Sequence, residues 1–301
     1  MLDVPDLRFL IALSTAPSLA AAARSLNVTP PAVSQRLAAL EDRLRLRLIE
    51  RGRGQLRLTA EGGYLVDRAK SILDDVERLS EEMSARAGRI EGPIHVIAPF
   101  GFGRLRVAPV LAHFGNENPD LRPTLSLSED PVGVMNEGLW DVLIHVGRLP
   151  NLRITQHKLA SNRRFLVASP DYARRFGLPQ RPEEVSAHRV GVVRENRADT
   201  TLWPLTGPDG VETSLRVQSV FGCNDGEALR GWALDGYGIV ERSEWSVSAD
   251  LSAGRLVRVL PDWSLPDADI LALLNPRAVR LLRIDKFVDR LTAEIGAAPI
   301  I

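Results

Sequence analysis

Residues 18–44, SLAAAARSLNVTPPAVSQRLAALEDRL, constrain the fold more than any other stretch of the chain. They predict two helices joined by a short turn. Ser18 is a helix-start residue, and the Ala-rich run after it makes a helix that packs tightly on a neighbour. Asn27-Val28 is turn-like. Thr29 is placed to cap a second helix, with Pro30 at the first position, where a missing N–H costs nothing. In that helix Val33, Leu37, Leu40 and Leu44 recur at spacings of four, three and four, forming one apolar stripe. At about 100° per residue, Gln35 points away from the stripe, and Pro31, Ser34 and Ala38 flank it. The outward face is short, small and hydrogen-bonding. A helix that enters a DNA major groove about 12 Å wide and reads base edges needs such a face. A plain helical hairpin would share the stripe, so the surrounding segments have to decide.

The first sixty residues carry nine arginines against five carboxylates, although the 301-residue chain is neutral overall. A basic head suits a polyanionic partner. Residues 4–15 predict a first helix, with Leu7, Leu10, Ile11 and Ala12 facing the Ala-rich one. After the second stretch, Arg51-Gly52-Arg53-Gly54 forms a turn between two extended pieces, residues 48–50 and 55–58. This is a small hairpin, or wing, whose arginine tip suits phosphates and a minor groove. Thr59 then caps a long helix, about 60–89. Leu65, Ala69, Ile72, Val76, Leu79 and Met83 alternate at four and three, a heptad seam flanked by charge. Such a helix is marginal alone, so the seam predicts dimerisation.

In order and spacing, the first ninety residues resemble the LysR-type transcriptional regulators. The signals are Ala21-Ala22, Leu26, Pro31-Ala32-Val33-Ser34, Leu40-Glu41, Arg51, Leu58-Thr59 and Gly62. The resemblance implies an α/β protein overall. It has an N-terminal all-α winged helix-turn-helix (1–60), a linker and dimerisation helix (61–90) and a C-terminal two-lobed α/β domain like that of periplasmic binding proteins (91–301). The lobes are expected at about 91–161 with 266–301, and at 162–265. Matching positions imply that Pro31, Ser34 and Gln35 face bases, and that Arg51 and Arg53 meet the backbone or minor groove. Thr29, Pro30 and Arg36 complete the candidate DNA-contacting set. The chain departs from the family's usual Gln at Pro30, Arg at Gln35, Gly at Arg45 and Leu-Phe at Leu48-Ile49. If Arg45 ends its helix in the left-handed region, that costs on the order of 1 kcal/mol.

Beyond a hinge-like break at 88–93, short β-rich runs alternate with helices, predicting mostly parallel sheets. Strands are expected at 94–98, 124–128, 142–146, 165–168, 190–193, 215–220, 239–240, 256–259 and 270–274. Helices are expected at 104–114, 132–137, 170–176, 227–234 and 279–295. Ligands of open α/β sheets sit beyond the carboxyl ends of strands. The candidate effector residues are therefore Pro99, Phe100, Gly101, Phe102 and Gly103, then His145 and Gly147, then Asn224 and Asp225. In the first loop two phenylalanines stand where family members often carry Ser or Thr, which suggests an aromatic or apolar ligand. The alternative is that both rings fill the core.

Other chemistry finds little support. Five scattered histidines lack metal-ligand spacing, so no metal and no cofactor beyond a small-molecule effector is expected. A single cysteine, Cys223, excludes an intrachain disulfide. No apolar run approaches about 18 residues, so neither membrane span nor signal peptide is expected, and the cytoplasm, in association with the nucleoid, follows. The sequence thus predicts a ligand-responsive transcription regulator and not an enzyme. Its partners would be double-stranded DNA, a small-molecule co-inducer, itself as homodimer or homotetramer, and RNA polymerase. An enzyme with a regulatory head is the first rival, and no nucleophile motif supports it. A solute-binding protein is the second, and the basic head opposes it.

Overall fold

The computed structural model describes residues 2–50, 56–86, 88–135, 140–149, 154–194, 199–276, 278–279 and 281–297. Contacts divide the chain into two compact units, Met1–Ala87 and Gly88–Ile301.

The first unit is helical. It comprises α1 (Val4–Thr15), α2 (Leu19–Ser25), α3 (Pro30–Leu44) and the long α4 (Ala60–Arg86). Ser18 caps α2 by accepting the Ala21 N–H. Asn27, at φ 54°, turns the chain between α2 and α3. Phe9, Leu10 and Leu13 of α1 close on Ala22 and Ala23 of α2, on Val33, Leu37 and Leu40 of α3, and on Leu48 and Val66. Alanines on α2 let the three helices approach this closely. One expectation is corrected. Leu7 and Ile11 pack against Ala69 and Leu73 of α4 and not against α2. An amphipathic helix wedged between two partners divides its apolar arc between them.

The second unit begins with β1 (Gly92–Pro99) and runs directly into helix. The short α5 (Phe100–Phe102), a π turn (Gly103–Val107) and α6 (Ala108–Glu117) follow without a break. Then come β2 (Leu121–Ser128), β3 (Val142–Val146), β4 (Thr155–Ala160), β5 (Arg164–Ala168), α7 (Pro170–Phe176), β6 (Val190–Val193), β7 (Leu202–Thr206), β8 (Glu212–Arg216) and β9 (Ser219–Cys223). The chain ends with α8 (Gly226–Leu234), β10 (Ile239–Ser243), α9 (Glu244–Ser252), β11 (Val257–Val259), β12 (Ile270–Leu274) and α10 (Leu282–Ala297).

Two five-stranded sheets make two lobes. Their strand orders are β2-β1-β3-β12-β4 and β11-β5-β10-β6-β9, and β7 and β8 form a separate hairpin. The chain therefore builds most of the first lobe, then the second, and returns through β12 and α10 to finish the first. The sheets are mixed and not mostly parallel. In each, three neighbouring strands pair in parallel, and one reversed strand, β12 or β5, pairs antiparallel on both of its sides. The predicted helix at 132–137 is also corrected. Residues 131–135 form a turn, held by the Gly133 N–H on Asp130 Oδ1 at 2.9 Å, and the rest lies outside the described residues. The strand expected at 215–220 is two strands, β8 and β9, which belong to different sheets.

Candidate nucleic-acid interface and ligand cleft

In α3, Val33, Leu37 and Leu40 are buried while Pro31, Ala32, Ser34, Gln35, Ala38 and Ala39 are exposed. Among the described residues the Gln35 amide has no hydrogen-bond partner, whereas the Ser34 hydroxyl donates back to Pro30 O at 3.1 Å. Thr29 occupies the cap position but makes no side-chain cap bond. The two prolines after it have no N–H to offer, so little remains there to cap. Arg36 is drawn off the candidate face. Its guanidinium lies 4.6 Å from the Phe9 ring centre and donates to Pro5 O at 2.9 Å, clamping α3 to α1. The legs of the hairpin are present, with Ile49 bridged to Leu58 and the Glu50 N–H on Arg57 O at 2.9 Å. Arg51 and Arg53 lie outside the described residues.

Sequence reasoning noticed Glu41, Arg45 and Gly62 without assigning their work. Glu41 is buried and accepts the N–H groups of Leu48 at 2.7 Å and Ile49 at 3.3 Å, with Arg47 at 2.8 Å. It fixes the first strand of the wing to α3. Burial alone would raise its pKa, but these donors outweigh burial and hold the carboxyl below its ordinary value. Arg45 does take the left-handed conformation, at φ 54° and ψ 34°. The N–H groups of Arg45 and Leu46 then reach back to Asp42 O and Glu41 O, a paired C-cap. Gly62 leaves room for Leu48 O, since a Cβ there would stand 2.1 Å from that oxygen. Thr59 caps α4 as its sequence context predicts, through the Gly62 N–H at 3.0 Å.

The predicted seam on α4 splits. Ala69 is fully buried against α1, and Leu65 packs into the core of its own unit. These two candidates therefore hold the head together and do not face outward. Ile72, Val76, Leu79 and Met83 are 42%, 41%, 62% and 55% exposed, a bare apolar stripe.

In the second unit a cleft of about 910 Å³ opens between the lobes. Its lining includes Ser128, Glu129 and Asp130 at the end of β2, Val192 and Arg194 at the end of β6, Thr200 and Thr201, and Gly222, Cys223 and Asn224 at the end of β9. Apart from Thr200 and Thr201, which lead into β7, these lie at the carboxyl ends of parallel strands, where such sheets receive ligands. Of the predicted effector residues only Asn224 lines it. Asp225 sits beside it, caps α8 through the Glu227 N–H at 2.8 Å and pairs with Arg104 of the first lobe at 2.6 Å. Burial pushes the Asp225 carboxyl up, but the Arg104 guanidinium and the N–H groups of Glu227 and Ala228 together outweigh it and hold the carboxyl below its ordinary value. The Pro99–Gly103 segment is not an open loop. Phe100, Gly101 and Phe102 are already helix, and Gly103 starts the π turn. The buried Phe102 meets Trp245 edge-on at 5.1 Å and fills the core, as the alternative reading had it for both rings, whereas Phe100 is only half-buried. His145 is also buried, with Nε2 on Arg148 O at 3.1 Å, and burial lowers its pKa. Gly147 turns the chain at φ 110° against Arg164. The case for an apolar ligand falls with this loop, because the real lining is rich in hydroxyls and charge.

A winged helix-turn-helix head joined to a two-lobed domain with an interlobe cleft defines a ligand-responsive DNA-binding regulator. Comparison with known proteins gives the family. The model for "Bacterial regulatory helix-turn-helix protein, lysR family" matches residues 4–63, and that for "LysR substrate binding domain" matches residues 87–296. The chain belongs to the LysR family of transcriptional regulators, which are DNA-binding proteins with an effector-binding domain and not enzymes. It is 35% identical over 263 residues to the HTH-type transcriptional regulator DmlR of Escherichia coli K12, covering 87% of this chain and 84% of that protein. It is 32% identical over 289 residues to the HTH-type transcriptional activator TtdR of the same organism, covering 96% and 92%. The solved structure of CrgA, a LysR-type transcriptional regulator from Neisseria meningitidis, superposes with a TM-score of 0.62 at 27% identity, covering 98% of this chain and all of that one. Among the described residues no helix is long and apolar enough to cross a membrane.

Proposed function

We propose that α3 reads base edges through Gln35, with Pro31 and Ser34 beside it, and that Arg51 and Arg53 of the wing grip the backbone or minor groove. The observation that carries this reading is the exposed, uncharged face of Pro31, Ser34 and Gln35 over a buried Val33-Leu37-Leu40 stripe. A glutamine amide forks to an adenine, and each such pair discriminates by about 1–3 kcal/mol. Two chains pair through Ile72, Val76, Leu79 and Met83, as a homodimer or as the unit of a homotetramer, and so address two half-sites. A small molecule in the interlobe cleft shifts the arrangement of the effector domains and with it the DNA complex. The protein works in the cytoplasm at the nucleoid, with RNA polymerase as a further partner.

The experiment is a gel shift on the DNA upstream of the protein's own gene, with variants. Gln35→Ala is expected to relax preference at one base pair. Arg53→Ala is expected to weaken all sequences alike and to reduce the salt slope by about one unit. If Arg53→Ala alters only which sequence is chosen, the division of labour is wrong.

A further inference from the structure

Glu129 and Asn224 belong to different lobes, at the ends of β2 and β9, and both line the cleft. The Asn224 amide donates to Glu129 Oε2 at 2.6 Å, joining residues 95 apart in the chain. Both residues are exposed, so water competes for this bond and it opens easily. The contacts around it add a charged pair and a buried ring contact. Arg104 holds Asp225 at 2.6 Å, and Phe102 stands against Trp245. These keep the lobes joined when Asn224 lets go.

The charges on the cleft wall are unevenly matched. Asp199 has Arg216 at 3.0 Å and the Thr201 hydroxyl, and Asp130 is engaged in its turn. Among the described residues, Glu129 is matched only by a neutral amide, and Arg194 of the other lobe by no carboxylate. A carboxylate bonds an ammonium more strongly than an amide, and a guanidinium forks onto a carboxylate. A ligand with two carboxylates would set one of them against Glu129 and Asp130.

We propose that Glu129 and Asn224 form a gate pair: the effector's protonated amine takes the place of Asn224 on Glu129 while its carboxylate goes to Arg194, so the effector is a small amine-bearing carboxylic acid. This rests on the cleft being the effector site. Filling the gate releases Asn224 at the start of α8 and replaces a lobe-to-lobe bond with a ligand held from both sides.

The test is isothermal titration calorimetry of the full chain with glycine, 4-aminobutyrate, lysine, putrescine and succinate. At least one of the three amino acids is expected to bind, one per chain. Glu129→Gln and Arg194→Gln are each expected to weaken it about tenfold or more. Asn224→Ala is expected to tighten it, because the internal competitor is gone, which no merely structural role would produce. Binding of succinate but of no amino acid overturns the proposal. So does Asn224→Ala weakening binding in step with Glu129→Gln, or silence from the whole panel. Ser219→Trp, which fills the cleft, separates the two levels, with circular dichroism confirming the fold. If succinate binds and Ser219→Trp abolishes it, the ligand class is wrong and the cleft is right. If any probe binds Ser219→Trp undiminished, the cleft itself is the wrong site.

Discussion

Glu41 satisfies two backbone N–H groups that no other described side chain reaches, and a charged acceptor in a buried place leaves a large debt when removed. Glu41→Ala is expected to destabilise the head by about 2–3 kcal/mol, read by urea unfolding. The sign of its pH dependence follows from the lowered carboxyl. Its stabilisation is fully present above the unfolded glutamate value of about 4.3 and is lost as pH falls through the lower folded value. Glu41→Gln should therefore flatten the acid limb of the stability profile below about pH 4. Arg45 predicts the opposite outcome. Its left-handed backbone suits glycine, so Arg45→Gly is expected to stabilise by up to about 1 kcal/mol, visible as a raised denaturation midpoint. Gly62→Ala would force a Cβ onto Leu48 O and is expected to cost about 2 kcal/mol or more in the same assay.

At the scale of the element, α4 does two jobs with one periodicity. Val66, Ala69 and Leu73 face inward to α1 and the head core, while Ile72, Val76, Leu79 and Met83 face out. A charge placed on the outer stripe should therefore break association without unfolding the head. The double change Leu79→Asp with Met83→Asp is expected to weaken self-association by about tenfold or more, checked by light scattering, with the head's melting unchanged. A variant at Ala69 should instead lower stability. The π turn at Gly103–Val107 is a second element with a visible purpose. It widens the helix where Arg104 and Arg106 reach Asp225 and the Trp245 carbonyl across the lobes.

For the whole molecule, pairing of chains sets how many phosphates one complex engages. The Leu79→Asp, Met83→Asp variant is expected to show about half the parent's slope in log binding constant against log salt, because one head then releases counterions where two did. A full slope in a monomeric variant would show that a single head makes all the contacts. What the sequence determined by itself is local: the α2–α3 pattern, the caps at Ser18 and Thr59, the two legs of the wing and strands such as β3, β6 and β12. These follow from spacings of three and four, alternation and backbone chemistry within a few residues. Tertiary structure decided which apolar residues α1 would consume, that β8 and β9 part company, and that Arg36 would lie on Phe9. It also decided the cleft, which joins residues as far apart in the chain as Glu129, Arg194, Thr201 and Asn224. No local periodicity encodes that meeting. It exists because β12 returns to the first sheet and two lobes then face one another, so the residues that line it are chosen by packing over long range and not by their neighbours in the chain.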